Sequence, residues 1–331
     1  MRFFLKNYFL LFCLITFAND SFAHVIPKSN PVSTYSIVAY DEKTGEFGVA
    51  VQSHWFSVGF LVPWAKAGVG AVATQSFVKV EYGPDGLALM EDGKSAKEAL
   101  DQLISADKGQ AIRQVAMIDR KGGVAAHTGE NCIFAAGHII GKNYSVQANL
   151  MEKKTVWSSM ANAFEKASGD LADRMMASLE AAEREGGDIR GKQSAAMLIV
   201  TGKPTGLPWK DTVMDIRVDD NPHPLKELKR LIRIHKAYQH ANKGDHYLEI
   251  NEVDNALIEY EKASDLYPEN PELPYWSAVT LVGLGDLDKA LPIFSKVFKK
   301  EPRLKMMTPR IVDAGLLPKD DKILKLIMEL D

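Results

Sequence analysis

An α+β layered domain followed by an all-α repeat tail is what this sequence predicts, on three observations. Between Thr34 and about Val218, β-rich and helical runs follow one another without strict βαβ alternation, which points to antiparallel sheets with helices packed outside them. From Pro222 onward the pattern is helical. Within that tail, two stretches align at a spacing of 34 residues. The chain has 331 residues, 46% hydrophobic and 25% charged, with a net charge of −3, which argues against disorder, a fibre, a multispan membrane protein or a general nucleic-acid binder.

The first residues stand apart from the fold. Arg2 and Lys6 precede an apolar run from Tyr8 to Ala18, and Ser21 and Ala23 supply a small-residue cleavage site, the layout of an export signal cut after Ala23. The run is too short to span a bilayer, which takes about 20 residues. The expected location is therefore secreted or periplasmic, with no membrane span after removal of residues 1–23. Losing Arg2, Lys6 and Asp20 takes the net charge from −3 to −4. Cys13 leaves too, so Cys132 stands alone, and it is expected as a small buried hydrophobe. Residues 24–33, with Pro27 and Pro31, read as an exposed extended linker.

The elements follow in order. Thr34–Tyr40 and Phe47–Gln52 flank a polar turn with Gly45, a hairpin signal. The small apolar residues of 69–74 suit a strand buried on both faces. Ser95 and Glu98 form a capping box for a helix over 95–106. Strands are expected at 114–119, 123–128 and 144–148, helices at 156–167 and 171–184, and strands again at 194–201 and 213–218. A helix over 225–240 serves as junction and upstream cap. Then Gly244, Tyr247, Ala256, Tyr260, Ala263 and Pro268 match Ala278, Leu281, Ala290, Phe294, Val297 and Pro302, the tetratricopeptide spacing. Residues 303–331 read as a terminal cap with Ile323, Leu324, Ile327 and Leu330 on one face. The domain plan is thus a sandwich over 34–222, a junction over 223–236 and repeats over 237–331.

Common catalytic and nucleotide-binding motifs are absent. His235, His240 and His246 are spaced wrongly for one helical face, and Lys226, Lys229, Arg230, Arg233 and Lys236 make a basic stripe expected to be a solvated face. Three segments are polar where a buried strand should be bland. These are Thr34 opening SIVAY, Lys66 with Thr74 and Gln75 at the end of the next apolar run, and the glycine-rich loop from Gly186 to Ser194 containing Asp188 and Arg190. Glycines there let backbone approach closely or present N–H groups.

The stretches TYSIVAYDEKTGEFGVAVQS, VPWAKAGVGAVATQ, YGPDGLALM, HTGENCIFAAGH, GGDIRGKQSAAMLIV and IRVDDNPHPLKEL together resemble the bacterial family called domain of unknown function 1028. That family is similar to the N-terminal-nucleophile hydrolases, which implies a four-layer αββα sandwich and hydrolysis of an amide bond by an N-terminal Thr, Ser or Cys. The resemblance implies Thr34 as nucleophile, its own α-amine as base, Lys66 as the charge that tunes that amine, and Asp188 and Ser194 as orienting groups. Backbone N–H groups near Gly68 or Gly70 would form an oxyanion hole. Gln75, Asn149, Arg190 and Gln193 are the expected ligand-binding residues. Gln52 and Ser53 stand where the superfamily pattern has an acid, and a free Thr34 amine requires a cut at Ser33–Thr34.

Two functions follow. One is an exported amidohydrolase acting on a small amide or peptide, with the repeats recruiting a protein partner. The other is a noncatalytic ligand or cell-wall binding module whose repeats act as an interaction scaffold. No metal or organic cofactor is indicated. Phe56, Phe60, Leu61, Val62 and Trp64 either line a homo-oligomer interface or belong to the core.

Overall fold

The computed structural model describes residues 32–330. The expected export signal and residues 24–31 of the expected linker lie outside the described residues.

The chain opens with the hairpin β1 (Thr34–Tyr40) and β2 (Phe47–Ser53), paired from Thr34↔Ser53 to Tyr40↔Phe47. Its turn is held by Asp41, whose carboxylate accepts from the Lys43 amide at 2.8 Å and whose carbonyl accepts from the Gly45 amide at 2.7 Å. Then come β3 (Pro63–Lys66), β4 (Gly70–Ser76), α1 (Tyr82–Glu91) and α2 (Ala96–Ala106). The capping box at Ser95 and Glu98 forms as expected. Next are β5 (Arg113–Asp119), β6 (Val124–Thr128), β7 (Gly137–Gly141), β8 (Tyr144–Ala148), α3 (Val156–Lys166) and α4 (Leu171–Arg184). The domain closes with β9 (Ser194–Val200), the short α5 (Pro208–Asp211) and β10 (Thr212–Val218).

The strands form two antiparallel sheets, one ordered β10-β9-β2-β1-β8-β7 and the other β3-β4-β5-β6. Alternation along each strand sends side chains to opposite faces, and both faces are covered. Tyr35, Ile37 and Ala39 of β1 pack with Met160, Phe164, Leu171, Met175 and Leu179 of α3 and α4. Val38, Val49 and Val51 meet Ala71, Ala73, Ala116 and Ile118 of the other sheet. The far face of that second sheet carries α1 and α2 through Val72, Val115 and Met117 against Tyr82, Leu87, Met90 and Leu100. Each large side chain so buried contributes about 1.5–3 kcal/mol of hydrophobic stabilisation.

β3, β7 and α1 are absent from the sequence expectation. β3 and β7 span four and five residues with only partial burial, so neither carries a clean alternation. α1 contains Gly83, Pro84 and Gly86, which read as breakers, yet the glycines allow close contact: a Cβ on Gly83 would lie 2.3 Å from the Trp64 ring.

The tail consists of α6 (Pro224–Glu249), α7 (Val253–Leu266), α8 (Glu272–Gly283), α9 (Leu287–Lys300), α10 (Pro302–Asp313) and α11 (Asp321–Met328), and each of α7 through α10 packs on its predecessor. The expected junction and the first expected repeat helix are one continuous helix of 26 residues. Its first half belongs to the sandwich: Leu225, Leu228 and Ile232 are buried with the α3–α4 cluster. The residues spaced by 34 occupy corresponding places. Ala256 and Ala290 are buried in α7 and α9, Tyr260 and Phe294 lie one turn on, and Gly244 faces the Tyr260 ring where a Cβ would come within 2.7 Å. Ile323, Ile327 and Leu330 join the tail's own core.

Among the described residues no helix is long and apolar enough to cross a membrane. The three histidines turn to separate partners: His235 to the Val213 carbonyl, His240 to Glu259 and His246 to Glu249. Most of the basic stripe is paired, with Lys229 on Glu180, Arg230 on Glu227, Arg233 on Glu269 and Lys236 on Asp170 and Asp173.

Candidate functional site

The first correction to the sequence reading lies just upstream of Thr34. Val32 and Ser33 are not exposed linker but buried backbone extending β1. Val32 exchanges two backbone hydrogen bonds with Ser76 at the end of β4: its amide donates at 2.7 Å and its carbonyl accepts at 3.1 Å. Thr34 is fully buried, and its hydroxyl donates to the Val32 carbonyl at 2.8 Å.

The carbonyl between Ser33 and Thr34 sits in a two-donor cradle. Ser53 Oγ, across the β1–β2 ladder, donates to it at 2.5 Å, and Arg190 Nη2 donates at 2.9 Å. Asp188 aims that guanidinium. Its fully buried carboxylate accepts from Arg190 Nε at 3.1 Å and Nη2 at 2.7 Å, from the Arg190 amide at 3.0 Å and from the His54 amide at 3.2 Å. The glycine-rich loop makes this possible. Gly187, at φ 59°, lies against the Tyr35 ring, where a Cβ would come within 3.2 Å. Burial, with the nearby Glu183 and Asp188 carboxylates, pushes the Tyr35 hydroxyl well above its ordinary pKa.

Beside Thr34, the space between the sheets turns from apolar to polar. The Thr34 carbonyl accepts from the Asn149 amide at 3.1 Å and from Gln75 Nε2 at 3.2 Å. Gln75 Nε2 also reaches Gln114 Oε1 at 2.7 Å, and Gln75 Oε1 accepts from Ser36 Oγ at 2.6 Å. Gln147 Nε2 donates to Ser36 Oγ at 2.6 Å, and Asn149 Nδ2 donates to Gln114 Oε1 at 3.0 Å. Gln114 Nε2 passes the chain to Thr128 Oγ1 at 2.9 Å, which meets His138 Nδ1 at 2.8 Å. Burial and the neighbouring His127 lower the His138 pKa. Asn149 Oδ1, beside this network, is buried without a hydrogen-bond partner, as is Ser33 Oγ. Backbone strain gathers at the same end, with Ser76 at φ 71°, Ala135 at 57° and Leu150 at 56°. Leu150 and Met151 donate to the Ile133 and Ala135 carbonyls, so loop 129–136 covers this end of the strands.

The structure therefore brings together Thr34, Asp188, Arg190, Gln75 and Asn149. It leaves Lys66 and the Gln193 side chain outside, and it keeps Ser194 opposite Ser53 with its hydroxyl turned to the neighbouring loop. Lys66 pairs with Glu91 at 2.5 Å, half exposed, and lies opposite Gly70. Gly70 is five positions down β4 from Gln75, roughly 16 Å away at strand rise. Gly68 and Gly70 share that remote end, so they form no oxyanion hole at Thr34. Ser194 Oγ donates to the Trp55 carbonyl at 2.5 Å and accepts from the Val58 amide at 3.1 Å, fixing the 54–58 loop. The Gln193 side chain goes to Asp220 at 3.1 Å on the surface.

Other expectations divide. Cys132 is half-buried and its thiol donates to the Arg113 carbonyl at 3.3 Å, with burial raising its pKa. Of the five apolar residues, Val62 is core, Leu61 and Trp64 are partly buried, and Phe56 and Phe60 stand 64% and 70% exposed. Among the described residues, no group of three His, Cys, Asp or Glu side chains could hold a metal.

The participants the sequence reading missed are Ser36, Ser53, Gln114, Gln147, Thr128 and His138. A signal for them exists: Ser145, Gln147 and Asn149 alternate with apolar residues in β8 and just beyond, as Thr34 and Ser36 do in β1. Polar residues at every second position of a strand buried on both faces mark one polar internal face.

An α+β domain of two antiparallel sheets with a buried amide-and-hydroxyl site at one end is thus the class defined by the fold. A family model described as a family of unknown function, DUF1028, matches residues 34–228, and the chain belongs to that family. It is similar to the crystal structure of protein SPO2555 from Silicibacter pomeroyi, of the same family, at 28% identity and a TM-score of 0.54, over 61% of this chain and 88% of that one. No curated protein matches the chain.

Proposed function

We propose that residues 34–222 are an N-terminal-nucleophile amide hydrolase of the four-layer αββα kind, made as a precursor and activated by cutting at Ser33–Thr34. One observation carries this reading: the carbonyl of that bond alone receives both Ser53 Oγ and Arg190 Nη2, beside the Thr34 hydroxyl. Donors placed on a carbonyl oxygen stabilise the negative charge that develops when its carbon is attacked. In the first step Thr34 Oγ1 bonds to the Ser33 carbonyl carbon, the C–N bond breaks, and the hydroxyl proton passes to the departing Thr34 nitrogen. Water then hydrolyses the ester, leaving a Ser33 carboxylate upstream and a free Thr34 amine. That amine is the general base of the mature site. Arg190, held by Asp188, takes the electrostatic part expected of Lys66.

The test is mass spectrometry and N-terminal sequencing of purified protein beginning at His24. Wild type should convert to a chain starting at Thr34, and Thr34→Ala should not. A wild-type chain that keeps its upstream residues through prolonged incubation would sink the mechanism. A second reading rests on the complete burial of the Thr34 hydroxyl. If Val32 and Ser33 stay, the domain is a noncatalytic binding module. In both readings residues 1–23 direct export, and the tail is a tetratricopeptide-type array that captures a protein partner.

A further inference from the structure

Val32 and Ser33 do more than block Thr34, because of how they are held. Val32 is hydrogen-bonded as a strand residue would be, through both its amide and carbonyl to Ser76. Its side chain is 1% exposed and belongs to the inter-sheet apolar cluster with Val51, Val62 and Ala73. Ser33 offers its carbonyl to the Ser53 and Arg190 donors while its own hydroxyl is buried without a partner. The Val32 amide and carbonyl and the Ser33 carbonyl are all hydrogen-bonded, and the apolar side chain is housed. The Ser33 hydroxyl, at the residue before the cut, is buried without a partner.

We infer that these two residues occupy the acyl side of the substrate cleft, so that the substrate class is an extended peptide or peptide-like amide with an apolar residue two positions before the bond broken and a small residue directly before it. This deepens the hydrolase reading and rests on it. Once Val32 and Ser33 depart, Ser76 N–H and C=O lose their partners, and buried backbone groups left so are costly. A peptide adding as a short strand restores both bonds, a recognition mode in which backbone gives affinity and alternate side-chain pockets give selectivity. The pocket vacated by Val32 then selects the second residue. The orphaned Ser33 hydroxyl argues that alanine serves at the first position at least as well as serine. Bound so, the substrate carbonyl enters the Ser53–Arg190 cradle. Thr34 Oγ1 bonds to its carbon and gives its proton to the Thr34 amine, which passes it to the leaving amine as the C–N bond breaks. Water then takes the acyl group as the carboxylic acid.

The experiment uses protein shown by mass to begin at Thr34, and the cleaved-acyl peptides acetyl-Asn-Pro-Val-Ser and acetyl-Asn-Pro-Val-Ala with free carboxylates. Binding is read by calorimetry and by the rise in melting temperature that a native-state ligand produces. The Val-Ala peptide should bind as tightly as Val-Ser or tighter. Both should exceed acetyl-Asn-Pro-Asp-Ser by at least about tenfold, since the second side chain enters an apolar pocket. The unprocessed Thr34→Ala chain, whose cleft is filled by its own residues, should bind none of them. Equal binding of the Val and Asp peptides, or no binding to processed protein, overturns this inference and leaves the hydrolase reading standing. Failure of wild type to process overturns both, and the mass measurement separates the two failures.

Discussion

Ser53→Ala separates the chemistry at Ser33 from the stability of the fold. Ser53 is fully buried, and its hydroxyl donates to the Ser33 carbonyl at 2.5 Å while its backbone carbonyl accepts from Gln193 at 3.1 Å. The substitution removes the hydroxyl and leaves the ladder, the Asp188–Arg190 pair and the second donor untouched. The ground-state loss is one neutral hydrogen bond, about 0.5–1.5 kcal/mol, since Arg190 still satisfies the acceptor. The transition-state loss is larger, because a donor to a developing oxyanion is worth on the order of 100–1,000-fold in rate. Ser53→Ala should therefore fold with a melting temperature lowered by only a few degrees and process at Ser33–Thr34 at least about 100-fold more slowly. The assay follows intact mass over time at fixed pH, with thermal unfolding on the same sample. Equal processing rates in wild type and variant would refute the cradle as the source of activation. A collapse in melting temperature would show that the hydroxyl is architectural.

Further consequences concern the rest of the molecule. Lys66→Ala removes a half-exposed ion pair with Glu91 and should cost at most about 1 kcal/mol with processing unchanged; a Lys66→Ala chain that no longer processes would restore the lysine to the site. Glu259 is a buried carboxylate, and hydrogen bonds from His240, Lys262 and Lys243 outweigh the upward push of burial and hold its pKa at about 2. Its lowered pKa contributes stability that is present above the ordinary value of 4.5 and lost as pH falls towards 2, worth about 1–2 kcal/mol after screening of its half-exposed lysines. Glu259→Gln should be less stable at neutral pH and flatter in acid, and parallel acid-unfolding curves for wild type and variant would contradict this. Truncation after residue 222 should lower the melting temperature of the sandwich, because Leu225, Leu228 and Ile232 are lost from its core, whereas truncation after residue 250 should not. Equal melting temperatures for the two truncated chains would show that α6 does not brace the sheet.

How much of this was legible depends on whether the cause is local. The β1–β2 hairpin and the Ser95 cap are each set by neighbours in sequence, and each is found where the pattern puts it. Asp188 and Arg190 were legible as a loop pair because glycines bracket them. Lys66 failed because distance along a chain does not give direction along a strand: β3 and β4 form a hairpin that carries Lys66 away from the end where Gln75 lies. Gln114 and Gln147 became partners only through the stacking of two sheets, 33 residues apart in sequence and joined by way of Gln75 and Ser36. The junction at 236 failed because a helix has no reason to stop where a domain boundary is drawn. Nothing between Pro224 and Glu249 caps or breaks it.

The distribution of polarity between the sheets argues that the Thr34 end is kept for something other than stability. On one side the gap is filled by Val38, Val49, Val51, Ala71 and Ala73, a packing that needs no hydrogen bonds. At the other side the same gap holds Ser36, Gln75, Gln114, Ser145, Gln147 and Asn149, all fully buried. Apolar side chains could fill that volume without desolvating a polar group, and a buried network with an unmet member is less favourable than an apolar core. Asn149 Oδ1 is such a member, and rotating its amide gives no remedy, because Nδ2 already donates to Gln114 Oε1 and an oxygen placed there would face another oxygen. Three non-glycine residues with positive φ, Ser76, Ala135 and Leu150, add strain at the same place. Orphaned acceptor, strained backbone and a polarised carbonyl converge within a few residues of Thr34. Packing explains none of the three, whereas a site that must hold, cut and then re-use a peptide segment requires donors, acceptors and a backbone poised to exchange partners.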